Sequence, residues 1–279
     1  MVILCDLDGT LINKHYKLTI ADHLISDAIQ LAQDKGNSVG LISDTPSATL
    51  TSWYQRLGMG GPICSENGAL IEWPYRKNPP HFIDLADSYA AAALRDGFLL
   101  ELVGHNGEGW NVVVGDVNRF ADSPDSVCET DRPAILVNGM RKYSLSFFVR
   151  TPQGSEQQVT LCQYVMGLAS RVISRLSEER SWYSRYWSCG FDTQACFVSY
   201  LPRMLEGKRT AVKEVLTRRP RQRVAIIGNS LADFVNLPRV TQVAVDNADY
   251  IYKHEASFVA PNPHTLGVVE ALQWLSERS

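Results

Sequence analysis

Apolar positions along this chain follow two rhythms. Short unbroken apolar runs, "VILCDL" from Val2 and "SVGLIS" from Ser38, read as strands buried on both faces, the first ended by an Asp-Gly turn. Between them, "TIADHLISDAIQLAQDKG" repeats Ile20, Leu24, Ile25, Ala28 and Leu31 at helical spacing, with Thr19 as the expected N-cap and Gly36 as the stop. A second helix is expected over "SATLTSWYQRLG", closed by Gly58, and a third strand over "PICSENGALIE", with a tight turn at Asn67 and Gly68. The order β-α-β-α-β predicts a parallel sheet with helices on both faces.

Near Trp73 the rhythm changes. "WPYRKNPPH" is polar and turn-rich and reads as a linker. A helix is expected over residues 84–103, and another over "EQQVTLCQYVMGLASRVISRL". The segments "WNVVVGDV", "KYSLSFFVR" and "YWSCGFDTQACFVSYL" alternate with period two, so strands lie beside strands. Such a stretch predicts an α+β unit with an antiparallel sheet covered on one face. At Lys208 the first rhythm returns: a helix over "KRTAVKEVLTRR", a buried strand over "RVAIIGN", a short helix over "SLADFVNLP", a strand over "TQVAVDNA" and a closing helix over "TLGVVEALQWLSER". The expected fold class is therefore α/β. A doubly wound, Rossmann-like parallel core is formed by residues 1–75 and 204–279, with a smaller α+β domain inserted over 76–203.

Composition narrows the partners. The chain has 279 residues, enough for a large core, and a net charge of −3, which gives no reason to expect a nucleic-acid surface. No apolar segment reaches the roughly 20 residues that span a bilayer. The start "MVILCDLDGT" lacks the basic opening and cleavage site of a secretory signal, so a cytoplasmic protein with no membrane partner is expected. Cys5, Cys64, Cys128, Cys162, Cys189 and Cys196 are scattered without a CxxC pair and read as buried free thiols. Oligomeric state is not legible.

Candidate chemistry gathers where strands end. Asp6 and Asp8 follow the first buried run, at the strand edge where open parallel sheets bind ligands. Two such acids repel unless a cation lies between them. One carboxylate can attack a phosphoryl group while Mg2+ offsets the phosphate charge, and the other can serve the leaving oxygen and the water as acid and base. A plain loop is the competing reading of "DLDG". The stretch "VAIIGNSLADF" breaks from a buried strand into Asn229 and Ser230 and carries one acid, Asp233.

"DLDGT" resembles the first motif of the haloacid dehalogenase-like superfamily of phosphohydrolases, and the later motifs can be sought in order. Ser43 in "LISDT" matches the hydroxyl that holds a phosphate oxygen, although it could equally cap the following helix. Lys208 matches the motif lysine that offsets the phosphate and the nucleophile, although a lysine opening a helix is ordinarily a surface residue. "IIGNSLADF" matches the fourth, acidic motif. "ICSENGALI" before the insert and "VAVDNADYIYKHEASFVAPNP" after it resemble the subgroup whose cap lies between motifs two and three. That subgroup includes Cof-type, phosphoglycolate and sucrose-phosphate phosphatases.

The resemblance implies a Mg2+-dependent phosphatase acting on a small phosphorylated metabolite, a sugar phosphate or phospho-acid, through an aspartyl-phosphate. Asp6, Asp8, Ser43 and Lys208 would be catalytic. Asp6, Asp8, Asn229 and Asp233 would surround the metal, and Asp44, Thr45, Asn67 and Arg185 would bind substrate. His105, Arg141, Lys142 and Trp187 are further candidates for reading the substrate from the cap. The chain departs from the pattern at Asn229, where relatives carry a metal-binding Asp, at Ala232 and at Asp44. A neutral amide holds Mg2+ less strongly than a carboxylate. The alternative expectation is thus a weakly active or inactive protein of the same fold that binds a ligand or partner.

Overall fold

Val2–Cys5 forms β1, which lies between two parallel neighbours in the middle of a large sheet. The computed structural model describes residues 1–73, 81–84, 88–105, 109–116, 132–151, 155–179, 183–191, 196–202 and 206–278. After β1 come α1 (Asp22–Asp34), β2 (Ser38–Ile42), α2 (Ser47–Arg56), β3 (Ile63–Ser65), β4 (Leu70–Trp73) and β5 (His81–Asp84). Then follow α3 (Ser88–Gly104), β6 (Asn111–Gly115), β7 (Ala134–Asn138), β8 (Leu145–Arg150), α4 (Ser155–Glu179), β9 (Tyr183–Phe191) and β10 (Cys196–Pro202). The chain closes with α5 (Lys208–Arg218), β11 (Val224–Gly228), β12 (Val240–Ala244), α6 (Tyr250–Glu255), β13 (Phe258–Val259) and α7 (His264–Ser276).

Two compact units result, Met1–Leu85 with Leu205–Ser279, and Ala86–Met204. The first holds an eight-stranded sheet in the order β13-β12-β11-β1-β2-β3-β4-β5, parallel from β13 to β3 and antiparallel where β4 and β5 are added. Alternate residues of β1 feed opposite faces. Ile3 and Cys5 pack with residues of α1 and α7 such as Ile25, Ile29 and Leu272. Val2 and Leu4 pack with Val212 and Val215 of α5. Burial on both sides is why this strand reads as an unbroken apolar run; each such aliphatic side chain contributes about 1.5–3 kcal/mol.

The second unit holds a five-stranded sheet, β6-β7-β8-β10-β9. Helices α3 and α4 supply its core, where Phe98 stacks on Phe147 at a centroid distance of 5.1 Å. The sheet is mixed, because β6 and β7 run parallel, and this corrects the expected antiparallel arrangement. The strand β7, "AILVN", was not anticipated and is buried along its whole length.

Other details differ from expectation for physical reasons. Helix α1 begins at Asp22, not after Thr19, whose amide instead donates to Thr265. Its buried face is Ile25, Ala28, Ile29 and Ala32, leaving Leu24 and Leu31 exposed: two apolar stripes at helical spacing competed, and the one that meets the sheet and α7 is buried. "PICSENGALIE" forms two antiparallel strands around a 3-10 turn at Glu66–Gly68. "SLADFVNLP" condenses to one 3-10 turn, Leu231–Asp233. Cys5 and Cys64 are free and buried, as read, but Cys162 of α4 is disulfide-bonded. Among the described residues, no helix is long and apolar enough to cross a membrane.

Candidate active site

Because β1, β2 and β11 are parallel, their exits fall on one edge of the first unit's sheet. Asp6 follows β1, Ser43 follows β2, and Asn229 follows β11. Lys208 is the first residue of α5, and its side chain is only 5% exposed. It donates to Asp6 Oδ1 at 2.6 Å and also to Asp233 Oδ1. The turn Glu66–Gly68 steadies this helix start: a Cβ on Gly68 would meet Ala211 at 2.9 Å and the Gly207 carbonyl at 3.1 Å. Glu66, Asn67 and Gly68 all have positive φ, which the sequence signals only through the Asn-Gly pair.

Burial and the charge of Asp233 push the Asp6 carboxyl up to about 7, against the opposing pull of Lys208. On Lys208, burial works against the ammonium, but the charges of Asp233 and Asp6 outweigh it and push its pKa up. The lysine is therefore a fixed cation. Asp233 is fully buried, with Oδ1 held by Lys208 and Oδ2 accepting from the Asn229 amide at 2.9 Å, the Ser230 amide at 3.0 Å and the Ser230 hydroxyl. Gly228 is required beneath it, since a Cβ there would overlap the Asp233 side chain.

Thr10, which sequence reasoning passed over, ties two sides of the site together. Its Oγ1 lies 3.0 Å from Asp6 Oδ2 and 3.1 Å from Asn229 Oδ1. A hydroxyl has one proton and so serves one of these acceptors at a time. The signal for Thr10 was its place as the last letter of "DLDGT".

A second chain of hydrogen bonds reaches Asp8. Ser43 Oγ donates to Thr45 Oγ1 at 3.2 Å, and Thr45 Oγ1 donates to Asp8 Oδ2 at 2.6 Å. Asp8 itself is exposed, while Ser43 and Thr45 are buried. Asp44 accepts from Asn67 Nδ2 at 2.7 Å, and the Asn67 amide donates to the Ser43 carbonyl, so this pair braces the loop after β2. The Arg185 and Trp187 side chains on β9 lie outside the described residues. Arg141 is buried in the second unit and donates to Ser144; Lys142 lies over the Tyr143 ring; His105 Nδ1 bonds the Glu101 carbonyl.

Among the described residues no group of three or more His, Cys, Asp or Glu is arranged to hold a metal. The donors that do converge are Asp6 Oδ2 and Asn229 Oδ1, which share the single Thr10 proton. They are hard oxygens, suited to a divalent cation that keeps several waters. Charge points the same way: Lys208 is shared between Asp6 and Asp233, and burial together with the charges of Asp233 and Asp8 keeps the Asp6 carboxyl raised despite that lysine. Asp6 and Asn229 therefore fit a divalent cation such as Mg2+. Asp233, with both oxygens engaged, serves Lys208 and the loop amides.

Residues 3–87 match the family model described as haloacid dehalogenase-like hydrolase. No curated protein matches the sequence. Solved structures match over nearly the whole chain. A Thermoplasma acidophilum protein is 18% identical, with 100% of this chain and 98% of that one covered and a TM-score of 0.61. A haloacid dehalogenase-like hydrolase from Bacteroides thetaiotaomicron is 16% identical, with 98% of each chain covered and a TM-score of 0.62. A HAD/COF-like hydrolase from Plasmodium vivax is 18% identical, with 98% of this chain and 95% of that one covered and a TM-score of 0.55. At these identities the likeness is one of fold.

Proposed function

From a chain whose residues 3–87 match the haloacid dehalogenase-like hydrolases and whose fold is theirs throughout, we propose a Mg2+-dependent phosphatase acting on a small phosphorylated metabolite. The observation that carries this reading is the buried set Asp6–Lys208–Asp233 at the exit of the central strand.

Asp6 is the nucleophile. An oxygen of its carboxylate attacks phosphorus, the bond to the substrate oxygen breaks, and Asp8 gives its proton to that leaving oxygen. Asp8, now ionised, takes a proton from water, whose oxygen attacks the same phosphorus and returns Asp6 as a free carboxylate with inorganic phosphate. Lys208 keeps Asp6 oriented and offsets charge on the phosphoryl oxygens. Ser43 contributes a hydroxyl toward those oxygens, and Thr45 holds the Asp8 carboxyl by its 2.6 Å hydrogen bond. Mg2+, held by Asp6, Asn229 and the Asp8 main chain, would neutralise phosphate charge when bound. The substrate class, a sugar phosphate or phospho-acid, follows from the subgroup that the sequence resembles.

The test is turnover of a panel of phosphomonoesters with Mg2+ or with EDTA. Turnover that requires Mg2+ and disappears in Asp6→Asn is expected. No turnover on any ester, or turnover indifferent to Asp6→Asn, overturns the reading. Asn229 supports the second reading, a ligand-binding protein with little hydrolysis, because it removes a charge from the metal side. If Asn229→Asp creates activity from none, that second reading holds.

A further inference from the structure

The loop after β1 is gripped from the turn after β12 and from the first residues of α7, which the reaction scheme does not use. Gly9 has φ +78°, and its carbonyl accepts two hydrogen bonds: from Asn247 Nδ2 at 2.7 Å and from His264 Nδ1 at 3.0 Å. A carbonyl can only accept, so His264 carries its proton on Nδ1. The two donors also hold each other, because the His264 amide donates to Asn247 Oδ1 at 3.0 Å. His264 has φ +52°, a conformation uncommon for a residue with a side chain and maintained here by these bonds. Next to it, Thr265 Oγ1 donates to the Leu11 carbonyl at 2.7 Å.

The same segment reaches the β11 side. The Asp249 amide donates to the Asn229 carbonyl at 2.8 Å, and Asp249 Oδ2 accepts from the Leu231 amide. Asn247 and Asp249, two residues apart after β12, thus brace both loops that carry candidate catalytic groups.

We propose that Asn247 and His264 are positioning residues, which fix the Gly9 peptide and through it Asp8 on one side and Thr10 on the other. This rests on the phosphatase reading above, in which Asp8 exchanges protons with the leaving oxygen and the water. Neither residue touches the reacting atoms. Their effect is on where the Asp8 carboxyl stands, and small displacements of a reacting group cost rate out of proportion to their size.

The experiment measures kcat and KM on an ester that the wild type turns over, together with amide hydrogen exchange at Gly9 and Ile12, whose amides donate to Ile12 and Leu7 carbonyls. In Asn247→Ala and in His264→Ala, kcat is expected to fall about 10-fold or more with KM within about 2-fold. Exchange at Gly9 and Ile12 should quicken while that of the β11 amides stays unchanged. His264→Asn keeps a side-chain N–H and tolerates positive φ, so it should restore most of kcat. The double variant should lose less than the product of the singles, because both serve one carbonyl. Unchanged kcat, a rise confined to KM, or quickened exchange throughout the unit each overturns the proposal. If the wild type turns over nothing, the phosphatase reading fails, and exchange at Gly9 and Ile12 alone decides whether the grip exists.

Discussion

Replacing Lys208 with Met keeps most of its volume and removes the one ammonium between Asp6 and Asp233. The lysine side chain is 5% exposed, and those of Asp6 and Asp233 are 7% and 0% exposed, so water cannot take over the lost partner. Breaking a buried ion pair by deleting one member costs about 3–5 kcal/mol. The pH course makes the reasoning specific. A carboxyl whose folded-state pKa is raised contributes stability that is full below its unfolded value and lost as pH rises through the folded one. In the wild type that loss ends at about 7 for Asp6. Without Lys208, which opposes the upward push, the Asp6 carboxyl rises further, so the variant goes on losing stability above pH 7. The gap between the two proteins should therefore be smallest at or below pH 7. It should widen toward pH 9, by at most about 1.4 kcal/mol per pH unit for this group. Urea unfolding in EDTA at pH 6, 7.5 and 9, with amide exchange in β1 and β11 to isolate the first unit, measures this. A gap below about 1 kcal/mol at pH 7.5, or one that narrows toward pH 9, would refute the account.

Two further outcomes follow from the same geometry. Asn229→Asp should raise Mg2+ affinity at least about 10-fold by calorimetric titration and lower metal-free stability, since it adds charge to a site already in surplus; unchanged affinity would remove Asn229 from the metal side. Gly228→Ala should destabilise by about 1–3 kcal/mol in chemical denaturation, because the new methyl meets the locked Asp233; a neutral effect would show that Asp233 has room to move.

Much of the first unit was legible because its strands are buried on both faces. Val2–Cys5 and Val224–Gly228 read as strands without help from any motif, and their polar exits marked the site edge. What stayed hidden was decided by contacts distant in sequence. The choice between the two apolar stripes of α1 depends on which one meets α7 and the sheet. The strand β5 sits in a stretch rich in turn formers, and its pairing with β4 was invisible to local pattern. In the candidate site, Asp6 and Asp8 stood out at the end of a buried strand, and Ser43 and Lys208 were read from the resemblance to the family's motifs. That Asp233 spends both oxygens on Lys208 and loop amides depends on a fold that joins residues 208 and 233 to residue 6, which spacing alone does not disclose. Thr10, Asn247 and His264 went unremarked as partners because ordinary polar residues acquire a role only from what they meet.

The place of β1 in its sheet also bears on how the chain is made. One neighbour, β2, follows within 40 residues, but the other, β11, begins at Val224. At the usual pace of about 5–20 residues per second, the ribosome leaves one edge of β1 open for on the order of tens of seconds. Through that interval an apolar strand presents unpaired amides and carbonyls, the kind of edge that recruits other chains. Yield in cells should therefore respond to translation speed across the inserted unit.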